Sequence, residues 1–106
     1  MKLVNTETIP GYSITSVKGL VGGNTIRAKH IGRDIGAGLK NLIGGELTGY
    51  TELLTESRKE ATDRMIADAQ SKGANAIVNV RYTTSAVAGA AAELYAYGTA
   101  VVVEED

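Results

Sequence analysis

The only histidine, His30, opens the one stretch of this chain whose side chains could combine into chemistry. His30-Ile31-Gly32-Arg33-Asp34-Ile35-Gly36-Ala37-Gly38 brings an imidazole, a guanidinium and a carboxylate close together in a glycine-rich backbone. Three uses of such a set can be weighed. Glycine amides at a helix start can cradle an anion, with Arg33 assisting. However, the run has no G-x-x-x-x-G-K-[ST], and Gly36-x-Gly38-x-x-Asn41 lacks the third glycine of a dinucleotide loop. Close backbone packing therefore outweighs phosphate binding. His30 and Asp34 lie four residues apart and would share a helix face if the helix begins that early, as an acid–base pair needs. A lone histidine beside glycines is more often a hydrogen-bonded structural residue. His30, Asp34 and Glu46 could form an oxygen-rich metal site suited to harder ions. With no cysteine and one histidine per chain, a soft heavy-metal ion would need ligands from several subunits. The expectation is a non-enzymatic site for a small ligand, with His30, Gly32, Arg33, Asp34, Gly36 and Gly38 as candidates. It has no catalytic residue and its cofactor is unknown.

A long helix beginning near Tyr50 and stopping at Gly73 must organise the rest. Tyr50, Leu53, Leu54, Ser57, Ala61, Met65, Ile66 and Ala69 recur at three and four, drawing one buried stripe. Glu60 with Arg64, and Asp68 with Lys72, stand one turn apart with the acid first, the favoured order. Thr48 or Thr51 is a candidate N-cap, and Glu52 would stand in the first turn. Gly73 supplies the left-handed stop. Beyond it, Ala76, Val78, Val80 and Tyr82 alternate as a strand running to Thr84.

Elsewhere, Ile14, Val17, Leu20 and Val21 predict a first strand with a bulge near Ser16-Val17. Gly22-Gly23-Asn24 predicts a hairpin turn. Ile31, Ile35, Leu39, Leu42 and Ile43 predict a short glycine-rich helix closed by Gly44-Gly45. Its internal glycines cost about 1 kcal/mol each, so it needs tertiary support. Residues 85–92 read as a small-residue connection. Glu93 to Val103 predicts a last strand apolar on both faces. Arg81, Tyr82, Tyr95 and Tyr97 suit a subunit interface better than a pocket.

Composition narrows the classes. The chain has 106 residues, 13 Gly, five Tyr and no Phe or Trp. It reads as a single domain, 1–106, with a thin core, since a domain of this size buries only roughly two thirds of its unfolded surface. A thin core favours burial between subunits, hence a homo-oligomer. A net charge of −1 gives no general attraction to nucleic acid or to an anionic membrane. Met1 to Pro10 lacks a signal-peptide core, and no run approaches the ~20 apolar residues of a membrane span, so a cytoplasmic location is expected. The basic Arg27, Lys29, Arg33 and Lys40 and the acidic Glu93, Glu104, Glu105 and Asp106 read as solvated surface. The other possibility is that they meet across a subunit interface.

Thr6-Glu7-Thr8-Ile9-Pro10-Gly11-Tyr12, the His30–Gly38 run, Gly44-Gly45-Glu46 and Tyr50-Thr51-Glu52 resemble the YbjQ-like family, small bacterial and archaeal proteins of unestablished function. Gly73-Ala74-Asn75-Ala76-Ile77 and Ala96-Tyr97-Gly98-Thr99-Ala100-Val101 extend the likeness to nearly the whole chain. The resemblance implies an α+β subunit: a small, mostly antiparallel sheet packed on one long helix, with the short glycine-rich helix beside it. It also implies a homopentameric ring in which strands contribute to contacts between neighbours. Family members are often labelled heavy-metal-binding, and an acidic residue is common after the Arg-aromatic pair, where this chain has Thr83. No catalytic residue carries over.

Overall fold

The computed structural model describes residues 1–26, 47–87 and 91–106. The predicted glycine-rich helix, at 30–46, lies outside them. The described elements are β1 (Lys2–Leu3), β2 (Tyr12–Ile26), α1 (Leu47–Ser71), β3 (Ala76–Val87) and β4 (Ala91–Glu105). One mixed sheet of order β1-β3-β4-β2 is covered by α1 on one face. Only β1 with β3 is a parallel pair; β3 with β4 and β4 with β2 are antiparallel. The small α+β architecture expected from the sequence is present.

Helix α1 buries Ser57, Ala61, Met65 and Ala69 at a four-residue interval. Beside this stripe run Glu60–Arg64 at 2.6 Å and Asp68–Lys72 at 2.8 Å, and Lys59–Asp63 at 2.9 Å lies further toward solvent. Leu54, expected in the stripe, is exposed. The helix begins at Leu47, so Thr48 and Thr51 lie within it instead of capping it, and Glu52 falls beyond the first turn. Once its packed half is formed, a helix propagates through weak formers such as Gly49 at little cost. Its end is a Schellman stop: Ala74 N donates to Ala69 O at 3.1 Å, Gly73 N to Gln70 O at 3.0 Å, and Gly73 takes φ 80°.

Strand β2 differs from expectation. Gly22-Gly23-Asn24 is no turn; β2 pairs with β4 without a break in the chain from Tyr12↔Glu105 to Ile26↔Glu93. The glycines serve packing instead. A Cβ on Gly23 would stand 2.3 Å from Ala61 O and 2.4 Å from Met65 N, so the backbone of α1 rests directly on β2. The expected irregularity is there, with register shifts between Ile14 and Ser16 and between Val17 and Gly19.

The same helix guards the outer edge of β2, where unpaired backbone groups invite pairing by another chain. Gly22 N donates to Asp68 Oδ2 at 3.2 Å, and Arg64 Nη1 donates to Asn24 O at 2.5 Å. The hydrogen bond from Lys72, then that from Gly22, holds the Asp68 carboxyl below its ordinary 3.8. The folded chain therefore binds this proton less readily than the unfolded one. Asp68 contributes its stabilisation above the ordinary value, and the contribution fades as pH falls through the folded value. Because the group is partly exposed, Asp68→Asn should flatten the acid limb of urea-midpoint stability against pH by only about 0.5 kcal/mol. An unchanged limb would mean the two hydrogen bonds do not favour the ionised form.

The alternation expected through Ala76, Val78, Val80 and Tyr82 is broken at Asn79. Ile77 and Val80 pack toward α1, whereas Ala76 and Val78 pack on the other face. Asn79 has φ 54°, and the β3–β4 register shifts between Val78 and Arg81. Asparagine tolerates the left-handed region better than a branched residue does, so it can sit in the bulge. Val21, Ala61, Met65, Ala69, Ile77, Val80, Ala96 and Ala100 thus form one core under the helix. Ile9, Ala76, Val78, Val101 and Val103 form a second core on the far face, flanked by Val4 and Tyr12. The last strand is covered on both faces only toward its C-terminal end, at Val101 and Val103, and the second cover there is the chain's own N-terminal segment. Ser85 also departs from the expected connection: it pairs with Glu93, with Ala86↔Ala92 and Val87↔Ala91 beyond it, so the strands continue through these small residues.

Candidate functional site

The expected ligand site, His30, Gly32, Arg33, Asp34, Gly36 and Gly38, lies outside the described residues, as does Glu46 of the expected metal set. Two other features are described: a groove beside the Asn79 bulge and an uncovered part of the sheet.

The groove forms because the N-terminal segment follows β3 and then leaves it. Val4 N donates to Ile77 O at 3.0 Å, Val80 N to Val4 O at 3.0 Å and Asn79 N to Thr6 O at 2.9 Å. Past Val80, no described residue pairs with that edge of β3. Leu3, Val4, Asn5, Val80, Arg81 and Tyr82 line the resulting open groove of about 610 Å³. Arg81 Nη1 donates to Asn5 O at 3.1 Å and to Val80 O at 3.2 Å, which fixes the guanidinium at the groove wall. Arg81 has no acidic partner among the described residues. The Tyr82 hydroxyl is 2.9 Å from Thr62 Oγ1 of α1. Sequence reasoning weighed a pocket against an interface for Arg81 and Tyr82 and preferred the interface; the groove is lined by both residues. The available signal for the groove was Asn79 itself, an asparagine within a valine-rich strand where that residue is disfavoured.

The uncovered part lies on the face away from α1. Pairing puts Ile14 opposite Val103, Val17 opposite Val101 and Leu20 opposite Thr99, all on that face. Val101 and Val103 are buried, but Val17 is 66% and Leu20 79% exposed because the N-terminal cover stops short of them. Tyr95 and Tyr97 extend the same face, stacked at 5.3 Å and 16°. Gly22 makes the stack possible, since a Cβ there would stand 2.3 Å from the Tyr95 hydroxyl oxygen.

Residues 1–104 match the YbjQ family model, described as "Putative heavy-metal-binding". The chain belongs to the YbjQ family. Relatives named only as UPF0145 proteins include one from Hahella chejuensis, 61% identical over 104 residues, 98% of this chain and 100% of the relative. Another, from Clostridioides difficile, is 58% identical over 106 residues, 100% of this chain and 95% of the relative. A crystal structure of a protein of unknown function from Pediococcus pentosaceus, of the DUF74 family, shares the fold. It aligns at a TM-score of 0.63 with 18% identity, over 98% of each chain. The YbjQ family is uncharacterised, and its function is unknown.

The family's metal description finds little to fit in this YbjQ chain. Thiolates and imidazoles are what soft ions select, and the chain has no Cys and a single His. Among the described residues no group of three His, Asp or Glu could hold an ion. Nor, among them, is any helix long and apolar enough to cross a membrane.

Proposed function

We propose that the chain is a subunit of a non-enzymatic homo-oligomer, a pentameric ring, that binds a small ligand or a partner where subunits meet. The observation that carries this reading is the exposure of Val17 and Leu20 beside the half-covered Ile14 and the Tyr95–Tyr97 stack. Contiguous exposed apolar surface of this kind marks an interaction site, and a thin core gains most from burial between copies. The stretch His30–Gly38 remains the ligand candidate, because its glycines permit a close approach and Arg33 supplies charge.

The test is native mass spectrometry with sedimentation velocity on the wild type and on the Val17→Glu/Leu20→Glu double variant. The wild type is expected at five-fold mass and the variant, still folded by circular dichroism, at single-chain mass. A wild type that is monomeric at micromolar concentration, or a variant that assembles unchanged, would sink the reading. Mass retained on the pentamer would name the ligand.

A further inference from the structure

We infer that residues 1–10 form a strap that opens as one unit about Pro10-Gly11 while the helix side of the sheet stays folded, and that its closure sets the width of the apolar sheet face. Three observations lead there. First, the strap is held lightly. Of residues 1–11 only Ile9 is buried, and Asn5 to Thr8 are all exposed. Strand β1 pairs with β3 at Lys2↔Ala76 and Leu3↔Ile77 alone. Beyond that pairing, Val80 N donates to Val4 O at 3.0 Å and Asn79 N to Thr6 O at 2.9 Å. The Lys2 ammonium rests 4.7 Å from the centre of the Tyr12 ring, a surface clasp between the start of the strap and the residue after its turn. A segment with so little buried apolar surface opens at lower cost than the body it covers.

Second, the chain is fastened immediately after the turn. Asp106 N donates to Gly11 O at 2.9 Å, Ser13 Oγ donates to Asp106 Oδ1 at 2.5 Å, and Tyr12 pairs with Glu105. These contacts hold β2 from its first residue, so opening pivots ahead of Tyr12 and does not peel the strand. Gly11 is the pivot: it has φ 83°, and among the described residues no atom lies within 4 Å of where its Cβ would stand. Glycine moves between positive and negative φ without the steric cost that a side chain imposes.

Third, the two cores depend on the strap unequally. The core under α1 takes from it only the partly buried Leu3. The core on the far face takes Ile9 and Val4, which lie over Ala76, Val78, Val101 and Val103. Opening therefore strips one face of the sheet and leaves the helix seated on the other. Val103 and Val101 pair with Ile14 and Val17, so the stripped residues run directly into the exposed Ile14, Val17 and Leu20. The strap is a lid that divides one broad apolar face into a covered part and an exposed part. This inference rests on contacts within one chain and stands apart from the pentameric reading.

Amide hydrogen exchange on the full wild-type chain, at a series of low urea concentrations, reads the opening directly. The amides of Val4, Asn79 and Val80 should share one opening equilibrium with a shallow urea dependence, whereas those in the packed half of α1 should show the steep dependence of global unfolding. Met65→Ala weakens the helix-side core equally whether the strap is closed or open. It should speed exchange in α1 about tenfold or more and leave the three strap-linked amides within about twofold of the wild type. Because the chain has no Cys, a single introduced thiol reports access to a buried side chain. Val78→Cys should react with a thiol reagent about tenfold faster than Ala69→Cys. Strap-linked amides that follow α1 in urea, or equal reaction of the two thiols, would overturn the inference. So would strap-linked amides that lose protection on dilution, because a neighbouring copy would then hold the strap in place of its own chain. The wild-type urea series keeps the test decisive even if Met65→Ala fails to fold.

Discussion

Gly23→Ala should lower the unfolding free energy by about 3 kcal/mol or more, because one methyl group must displace a helix. The added carbon would meet Ala61 O at 2.3 Å, Met65 N at 2.4 Å and Arg64 Cβ at 2.7 Å. Two of these three are backbone atoms, which no rotamer change can move aside. Relief requires α1 to lift from β2, and lifting it uncovers Val21, Met65 and Ala69. It also breaks the hydrogen bonds from Gly22 to Asp68 and from Arg64 to Asn24. Gly11→Ala makes a useful contrast, since no atom lies within 4 Å of the added carbon and only φ 83° opposes it. Chemical denaturation of both variants would decide the point. A Gly23→Ala protein less destabilised than Gly11→Ala would show that α1 does not sit this close to the sheet.

Ala61→Asp acts on the other side of the same contact. Ala61 has no exposed surface and faces the glycine that admits it, so the new carboxylate would be pressed against the β2 backbone away from water. Arg64 and Lys72, on the same helix, are already engaged with Glu60 and Asp68. An unpaired charge buried in this way costs several kcal/mol, about 4 or more, comparable with the whole stability of a small domain. The expected outcome is a chain that is largely unfolded or insoluble at neutral pH, with partial recovery of helicity in acid as the carboxyl takes up its proton. A soluble variant with wild-type melting behaviour would mean that Ala61 is not in the buried stripe.

The elements that local rules determine were the legible ones. The four-residue interval of Ser57, Ala61, Met65 and Ala69, the order of the Glu60–Arg64 and Asp68–Lys72 pairs and the stop at Gly73 all appear as the sequence predicts. Gly22-Gly23 was misread because a glycine pair signals either a turn or a close approach, and only the position of α1 separates the two. Likewise, Ala76, Val78, Val80 and Tyr82 satisfy strict alternation in the sequence, yet the bulge at Asn79 divides them between opposite faces. The second core escaped notice because it relies on Val4 and Ile9, whose contribution depends on a path the N-terminal segment takes only in three dimensions. The groove at Arg81 is a product of that same path. The candidate residues His30 to Gly38 fall outside the described residues, so their expected roles await the experiments on assembly and retained ligand.

The bulge at Asn79 has a further meaning for how this strand can change. Before it, the even-numbered Ala76 and Val78 belong to the N-terminal cover; after it, the even-numbered Val80 belongs to the helix. The strand is in effect written in two reading frames joined by one extra letter. Deleting that letter would leave every remaining residue acceptable for a strand and still put half of them on the wrong side of the sheet. Length in β3 is therefore constrained more tightly than composition. A gain or loss of one residue there can be accommodated only by a compensating change close enough to restore the frame before the next core position.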